Sequence, residues 1–198
     1  MRDSFVQIRF VLCQRGSRDV DAQMEEAGHP AVEGLRAERC AFRVVKEVEE
    51  WDASYDVLAE RYKFLVLEGP SRTGKTAFAR SKCPRGQLVY EVNCSAGGEP
   101  SLRDYRFGRD GLILLDEIEP GAVAAQRKLF EAGTAVVQLC TSRTDIHVYN
   151  VFVHRVRIVC TSNNWTSSFA QLSANDQAWL KANSVYVYCG EQMWESAA

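Results

Sequence analysis

The stretch GPSRTGKT, residues 69–76, constrains the fold more than any other part of the sequence. The apolar run YKFLVLE before it is typical of a buried parallel strand, and KTAFARSK, which overlaps its end, has the composition of a helix. Gly69 and Gly74 allow the backbone to wrap so that its N–H groups point inward, and a helix that begins here adds the positive end of its dipole. The pattern G-x-x-x-x-G-K-[ST] between a strand and a helix therefore predicts a phosphate-binding loop.

Two side chains of this loop have specific predicted roles. Lys75 is expected to neutralise charge on the β- and γ-phosphates of a nucleotide, and Thr76 to bind Mg²⁺ through its hydroxyl. The expected cofactors are therefore ATP and Mg²⁺, and the alternative is a chance match of the pattern to a glycine turn. The residues predicted to surround the phosphates are Gly69, Pro70, Ser71, Arg72, Thr73, Gly74, Lys75 and Thr76.

A second segment, GLILLDE at residues 111–117, predicts a strand that ends in two carboxylates. Ligands of open α/β sheets bind at the carboxyl ends of the strands. Asp116 is expected to hold Mg²⁺, and Glu117 to orient or deprotonate an attacking water. Glu117 favours hydrolysis over transfer, because a small-molecule kinase must keep water away from the γ-phosphate. Without the phosphate-binding loop, the pair is equally consistent with a solvated turn.

A third segment, VRIVCTSNNW at residues 156–165, predicts another strand that ends in polar groups. An asparagine amide at this point is placed to contact the γ-phosphate or to position the water. Seen alone, TSNN is consistent with a plain turn. The order of the three segments, first the glycine loop, then LLDE and then TSN, favours a shared site.

In that order, GPSRTGKT, LILLDEI and IVCTSNNW resemble the three motifs of the superfamily 3 helicase domain. This domain is found in replication-initiator (Rep) proteins of small circular single-stranded DNA viruses and in related viral RNA helicase-like ATPases. The resemblance covers roughly residues 47–165. It implies an AAA+-like ATPase core, often hexameric, that moves along single-stranded DNA or RNA through a central pore. By the same resemblance, Asp116 and Glu117 form the second motif and Asn163 is the polar sensor.

The segment AVVQLCTSRTDIHVYNVFV, residues 135–153, has two β-rich stretches around TSRTD and predicts an inserted β-hairpin. The family's hairpin that grips nucleic acid lies in the same interval between the second and third motifs. Arg143, assisted by His147, is therefore a candidate contact to the phosphate backbone of a single strand. A surface turn with a solvated arginine is the alternative.

Three features depart from the family pattern. No His-hydrophobic-His pair is present, so nicking of DNA is not predicted, and the lysine common in the gripping hairpin is not evident. Residues 164–198 contain no arginine that would reach a neighbouring subunit's ATP, which leaves Arg155, Arg157 or Lys181 as substitutes. The second hypothesis is therefore a nucleotide-binding scaffold that has lost motor activity, and the third is a small-molecule kinase.

Strands alternate with helices along the chain, which predicts an α/β fold with a parallel sheet. Together with the resemblance, this indicates a three-layer P-loop NTPase (AAA+-like) fold over residues 46–198, with residues 1–45 a poorly defined N-terminal segment and a candidate remnant of another domain. Beyond the strand before the loop, strands are predicted at 5–13, 87–92, 112–116, 156–161 and 185–189. Helices are predicted at 19–27, 31–40, 46–61, 75–82, 121–132 and 173–182.

The helix predicted at 46–61 has an apolar stripe of Val48, Trp51, Tyr55 and Leu58. These four residues recur at helical spacing, with acidic residues between them, and are expected to form a core face.

The composition limits partners and location. The chain has 198 residues and a formal net charge of −2, so nucleic-acid binding requires a local basic patch. No apolar run approaches the ~18 residues of a membrane span, so no membrane association is predicted. Seven cysteines without CxxC spacing are expected to be buried free thiols, which predicts an intracellular, reducing compartment such as cytoplasm or nucleus.

Overall fold

Five strands form the central sheet in the computed structural model, which describes residues 42–97, 100–140 and 148–194. In chain order the strands are β1 (Phe64–Glu68), β2 (Leu88–Asn93), β3 (Asp110–Asp116), β4 (Val137–Cys140), β5 (Val148–Val151), β6 (Arg157–Ser162) and β7 (Ser184–Tyr188). The sheet has the order β2-β3-β6-β1-β7, and every neighbouring pair in it is parallel.

Helices connect these strands. They are α1 (Lys46–Ala53), α2 (Lys75–Ser81), α3 (Pro120–Ala125), α4 (Arg127–Phe130), α5 (Trp165–Phe169) and α6 (Ala174–Asn183). None of the helices within the described ranges is long and apolar enough to cross a membrane.

The burial of the central strands shows that the sheet is covered on both faces. All residues of β1 are buried, and so is every residue of β3 except Asp116. Successive residues of a strand point to opposite faces, so continuous burial requires packing on both sides. The prediction of a parallel α/β sheet between two layers is confirmed.

The strand order brings three carboxyl ends together. β6 lies between β1 and β3, and its register pairs Ser162 with Glu68 and Cys160 with Leu115. The residues that follow these strands therefore meet at one edge of the sheet, where ligands of such sheets bind.

The hairpin between β3 and β6 is also confirmed, since β4 and β5 pair antiparallel. Its connection, residues 141–147, lies outside the described residues, and so do Arg143 and His147. The strand predicted at 5–13 and the helices predicted at 19–27 and 31–40 lie outside them as well. The domain boundary near residue 45 stays a prediction.

The helix predicted at 46–61 is too long. It ends at Ala53, a 3₁₀ turn follows, and Leu58 is 76% exposed instead of facing the core. The Trp51 indole and the Tyr55 hydroxyl both donate to the carbonyl of Lys63, at 2.7 and 3.0 Å. The chain turns back after α1 to bring this carbonyl to the two rings, and a helix that continued to residue 61 would prevent the contact.

The helix predicted at 121–132 is divided in two. Gln126, at φ −116° and ψ 40°, has left the helical region, and the chain restarts as α4. The new direction buries Leu129 and Phe130 in the core. Pro120 begins α3 as expected, because an early helical position needs no N–H.

Cysteines within the described ranges carry free thiols, as the sequence predicts. The burial predicted for these thiols holds for Cys94, Cys160 and Cys189, whereas Cys83 and Cys140 are only half-buried. Burial raises the pKa of Cys94 to about 11, with a further contribution from Asp116. Burial also raises the pKa of Cys189 to about 11, against the opposing charge of Lys75.

Candidate functional site

The glycine loop joins β1 to α2 and needs glycine at two points. Gly74 precedes α2 with φ 89°, in the left-handed region that glycine adopts without strain. A Cβ at Gly69 would lie 2.2 Å from the carbonyl oxygen of Cys189, so the close approach of β7's end excludes a side chain there. The loop therefore has the backbone form that the motif predicts.

Lys75 lies inside the curve of this loop. Its side chain is buried, and the residue is only 4% exposed. The ammonium donates to the carbonyls of Gly69 and Pro70, at 2.7 and 2.9 Å, and to Oδ1 of Asn163 at 3.1 Å. The charge is thus held at the centre of the loop, where phosphate oxygens would be neutralised.

Asp116 lies at the same edge of the sheet and is bound by two hydroxyls. Thr76 Oγ1 donates to Asp116 Oδ1 at 2.9 Å, and Thr161 Oγ1 donates to the same oxygen at 2.5 Å. Thr76 directly follows Lys75 in the chain. The loop that Lys75 and Thr76 end is therefore bonded to Asp116 through one residue and to Asn163 through the other.

A hydroxyl and a carboxylate at this separation fit Mg²⁺. Mg²⁺ prefers oxygen ligands, and in nucleotide sites it takes one or two protein groups together with phosphates and waters. Within the described residues no group of three or more histidine, cysteine or acidic side chains gathers around a potential metal position. Thr76 and Asp116 are therefore suited to a shared metal–phosphate site and not to an all-protein cage.

Glu117 adopts an unusual backbone conformation immediately after Asp116. Its φ is 57°, a left-handed value that costs energy for any residue other than glycine and that occurs often at functional sites. Its N–H donates to Thr161 Oγ1 at 3.2 Å. The Thr161 hydroxyl therefore holds both acidic residues, since it accepts the Glu117 N–H and donates to the Asp116 carboxylate. The sequence pattern gave Thr161 no such role.

The C-terminal segment crosses the loop, which no sequence pattern predicts. Met193 N–H donates to the carbonyl of Thr73 at 2.8 Å. The ring of Trp194 lies against Gly74, where a Cβ would come within 2.1 Å of it. These contacts join residues more than a hundred positions apart, and short-range periodicity carries no signal for them.

Both arginines named as substitutes lie at the amino end of β6, opposite the edge where the glycine loop lies. Arg157, the first residue of β6, pairs with Asp52 at 2.5 Å. Arg155 donates to the carbonyl of Tyr55 at 2.6 Å. The third candidate, Lys181, lies over the ring of Phe169 at 5.5 Å.

The parallel sheet, the glycine loop between β1 and α2, and the carboxylate at the end of β3 define a P-loop NTPase fold. No protein-family model matches the chain, and no curated protein matches it.

Among solved structures, the chain is similar to NtrX from Brucella abortus. The structure in complex with ATP has 18% identity and a TM-score of 0.40, covering 85% of this chain and 44% of NtrX. The structure in complex with ADP has 16% identity and a TM-score of 0.41, covering 87% and 42%. A third NtrX structure has 18% identity and a TM-score of 0.41, covering 90% and 43%. The chain spans less than half the length of these NtrX chains.

Proposed function

We propose that the chain binds ATP with Mg²⁺ and hydrolyses it. The observation that carries the proposal is the convergence of Lys75, Asp116 and Asn163, from three separate segments, around one glycine loop. Hydrolysis of a nucleoside triphosphate depends on positioning and on neutralising the charge of the phosphates. The buried ammonium, the strand-end carboxylate and the amide are groups of the kind that this task requires.

Each residue has a definite task in the proposed reaction. Lys75 binds the β- and γ-phosphates, while Thr76 and Asp116 hold the metal. Bound Mg²⁺ supplies positive charge that polarises the γ-phosphate. Asn163 directs Oδ1 at Lys75, so its amide NH₂ is the group that donates to a γ-phosphate oxygen or to the water. Glu117 accepts the proton of the attacking water.

Glu117 is also the reason to favour hydrolysis over the kinase hypothesis. A kinase gains nothing from a general base that activates water beside the metal-binding carboxylate. The strained backbone of Glu117, held by Thr161, supports a functional requirement for this position. Phosphate transfer to a small acceptor with little water-driven turnover would favour the kinase.

The proposed use of this energy is movement along single-stranded DNA or RNA by a superfamily 3 helicase-like domain. Support comes from the order of the three motifs and from the hairpin inserted between β3 and β6. Arg143 and His147 of its connection are the proposed contacts to the phosphate backbone. The proposed assembly is a homo-oligomer, a hexamer by resemblance, with the strand in its central pore.

A surface beside the hairpin supports this proposal from described residues. The Leu102 N–H donates to the Tyr149 hydroxyl of β5 at 2.7 Å, which joins the segment before β3 to the hairpin. In that segment Phe107 is 55% exposed, and its ring meets Phe152 with centroids 4.8 Å apart. Aromatic rings near basic groups stack the bases of single strands, and Arg106, which directly precedes Phe107, is exposed as well.

Turnover in the presence of single-stranded polymers tests the proposal. We expect ATP hydrolysis by the purified chain to rise with single-stranded DNA or RNA, and Lys75→Ala to abolish it. Phe107→Ala should weaken polymer binding by roughly 5- to 150-fold, since a stacked base contributes about 1–3 kcal/mol. Val44→Ala, at an exposed apolar position before α1, is the control. Hydrolysis without stimulation by either polymer would contradict the motor proposal and leave the ATPase intact.

The second candidate is a nucleotide-binding scaffold derived from such a helicase. Its support is the engagement of Arg155 and Arg157 within their own chain, away from the loop. ATP binding without turnover, with or without polymer, would favour the scaffold.

A further inference from the structure

Glu68 is a buried carboxylate beside the glycine loop. It is the last residue of β1, directly before Gly69, and is 6% exposed. Oε1 accepts the N–H of Thr166 at 2.9 Å. Oε2 accepts the hydroxyls of Thr166 and Tyr186, both at 2.5 Å.

The position of this charge needs an explanation. A carboxylate next to a loop that binds polyphosphate opposes the ligand by charge repulsion. Burying an ionised group also costs free energy unless hydrogen bonds replace its water. Three donors from two other elements do so here, and they outweigh burial, so that the pKa of Glu68 lies below its ordinary value. The carboxylate is therefore ionised at neutral pH. The residues that donate hydrogen bonds to it, Thr166 and Tyr186, show which segments it holds in place.

Glu68 fixes one end of the segment that carries Asn163. Thr166 lies in the first turn of α5, three residues after Asn163. At the other end of the segment, the Ser162 carbonyl accepts the Gly69 N–H at 3.2 Å. Asn163 therefore lies between two hydrogen-bonded attachments, one to Glu68 of β1 and one to Gly69 of the loop. From this position its Oδ1 accepts a hydrogen bond from the Lys75 ammonium.

We infer that Glu68 is a positioning residue, which aims the Asn163 amide at the γ-phosphate through Thr166. The inference rests on the proposed ATP hydrolysis, which it extends to a residue that the three sequence motifs do not include. In the proposed reaction, Glu68 itself contacts no substrate. It acts on the rate of the chemical step through Asn163 and leaves the binding of ATP to Lys75 and Thr76.

Two hydroxyl deletions on the same carboxylate oxygen test the inference. Thr166→Val removes the hydroxyl on the Asn163 side, and Tyr186→Phe removes the one on β7. Both variants also lose the 3.2 Å contact between the two hydroxyls, so they are closely matched. A purely structural role predicts similar losses of thermal stability and equal kcat values for the two.

If Glu68 positions Asn163 through Thr166, the two variants should differ in kcat. We expect Thr166→Val to lower kcat by on the order of 10-fold, because a small misplacement of a catalytic group costs up to about 100-fold. KM for ATP should stay within about 2-fold, since the binding groups are unchanged. Tyr186→Phe should retain the wild-type kcat, and Glu68→Gln should behave as Thr166→Val. Equal kcat in Thr166→Val and Tyr186→Phe would overturn the inference.

A second readout does not depend on turnover. The side-chain amide resonance of Asn163, assigned with Asn163→Asp, should shift in Thr166→Val and stay in place in Tyr186→Phe. An unmoved resonance in both variants would overturn the inference even if the wild type hydrolyses ATP. If the wild type does not hydrolyse ATP, the proposed function fails, while this spectrum still decides whether Glu68 positions Asn163.

Discussion

At the scale of single residues, the phosphate-binding loop depends on a buried ammonium group held by its own carbonyls. Lys75 donates to Gly69 and Pro70 and reaches Asn163 on β6's end. Hydrogen bonds that involve a charged group stabilise more than neutral ones, and they are stronger where water is excluded. The lysine therefore stabilises the shape of the loop, and its affinity for phosphate is the property that the proposed function requires of it.

Replacing Lys75 with alanine should weaken ATP binding strongly while the sheet stays folded. Charge-assisted hydrogen bonds contribute about 1.5–3 kcal/mol each, so losing two to the phosphates weakens binding by on the order of 100-fold or more. Titration calorimetry with ATP and Mg²⁺ measures this. Lys63→Ala removes the same charge at an exposed position before β1 and should bind as the wild type. Wild-type affinity in Lys75→Ala would contradict the assignment.

The lowered pKa of Glu68 makes the stability of the fold depend on pH. Burial raises its pKa, but the hydrogen bonds from Thr166 and Tyr186 lower it more, so the folded value lies below the ordinary 4.5. Its contribution is therefore complete above pH 4.5 and is lost as pH falls through the folded pKa. Denaturant unfolding between about pH 7 and pH 3 should show a steeper loss for the wild type than for Glu68→Gln. Parallel curves would exclude this linkage.

At the scale of elements, strands with continuous apolar runs were predictable and the ends of helices were not. β1 and β3 are buried on both faces, so their sequences are apolar throughout and mark them clearly. α1 ends early because its rings bind the carbonyl of Lys63, a contact outside the helix. The motif glycines were predictable from local backbone needs. The close approach of the Cys189 carbonyl to Gly69 was not predictable.

This close approach predicts that two glycine-to-alanine substitutions will differ in their effect on the free energy of unfolding. Gly69→Ala places a Cβ 2.2 Å from a backbone oxygen, so β7's end or the loop must move. Such overpacking costs about 1–3 kcal/mol of unfolding free energy. Gly121→Ala, in α3, meets its nearest atom at 3.7 Å and should be neutral or stabilising by up to about 1 kcal/mol. Chemical denaturation compares the two, and equal stability would show that the loop yields freely.

At the scale of the whole molecule, the site is assembled by strand order. β6 between β1 and β3 carries Thr161 to Asp116 and Asn163 to Lys75. The sequence predicted which strand ends carry polar groups and that they meet at one edge. It did not predict the hydrogen bonds from Thr166 and Tyr186 to Glu68 or the crossing of Met193 over the loop, because those partners are distant in the chain. Contacts of this kind follow only from the folded topology.

The proposed reaction requires that Lys75 and its neighbours bind one triphosphate and that Glu117 activates the water that attacks it. The most direct measurement is ATP turnover by Glu117→Gln beside the wild type, at saturating ATP and Mg²⁺, with binding measured in parallel. We expect unchanged ATP affinity and turnover at least about 100-fold slower in the variant, the range that loss of a general base produces. Equal turnover in the two proteins, or none in the wild type, would contradict it.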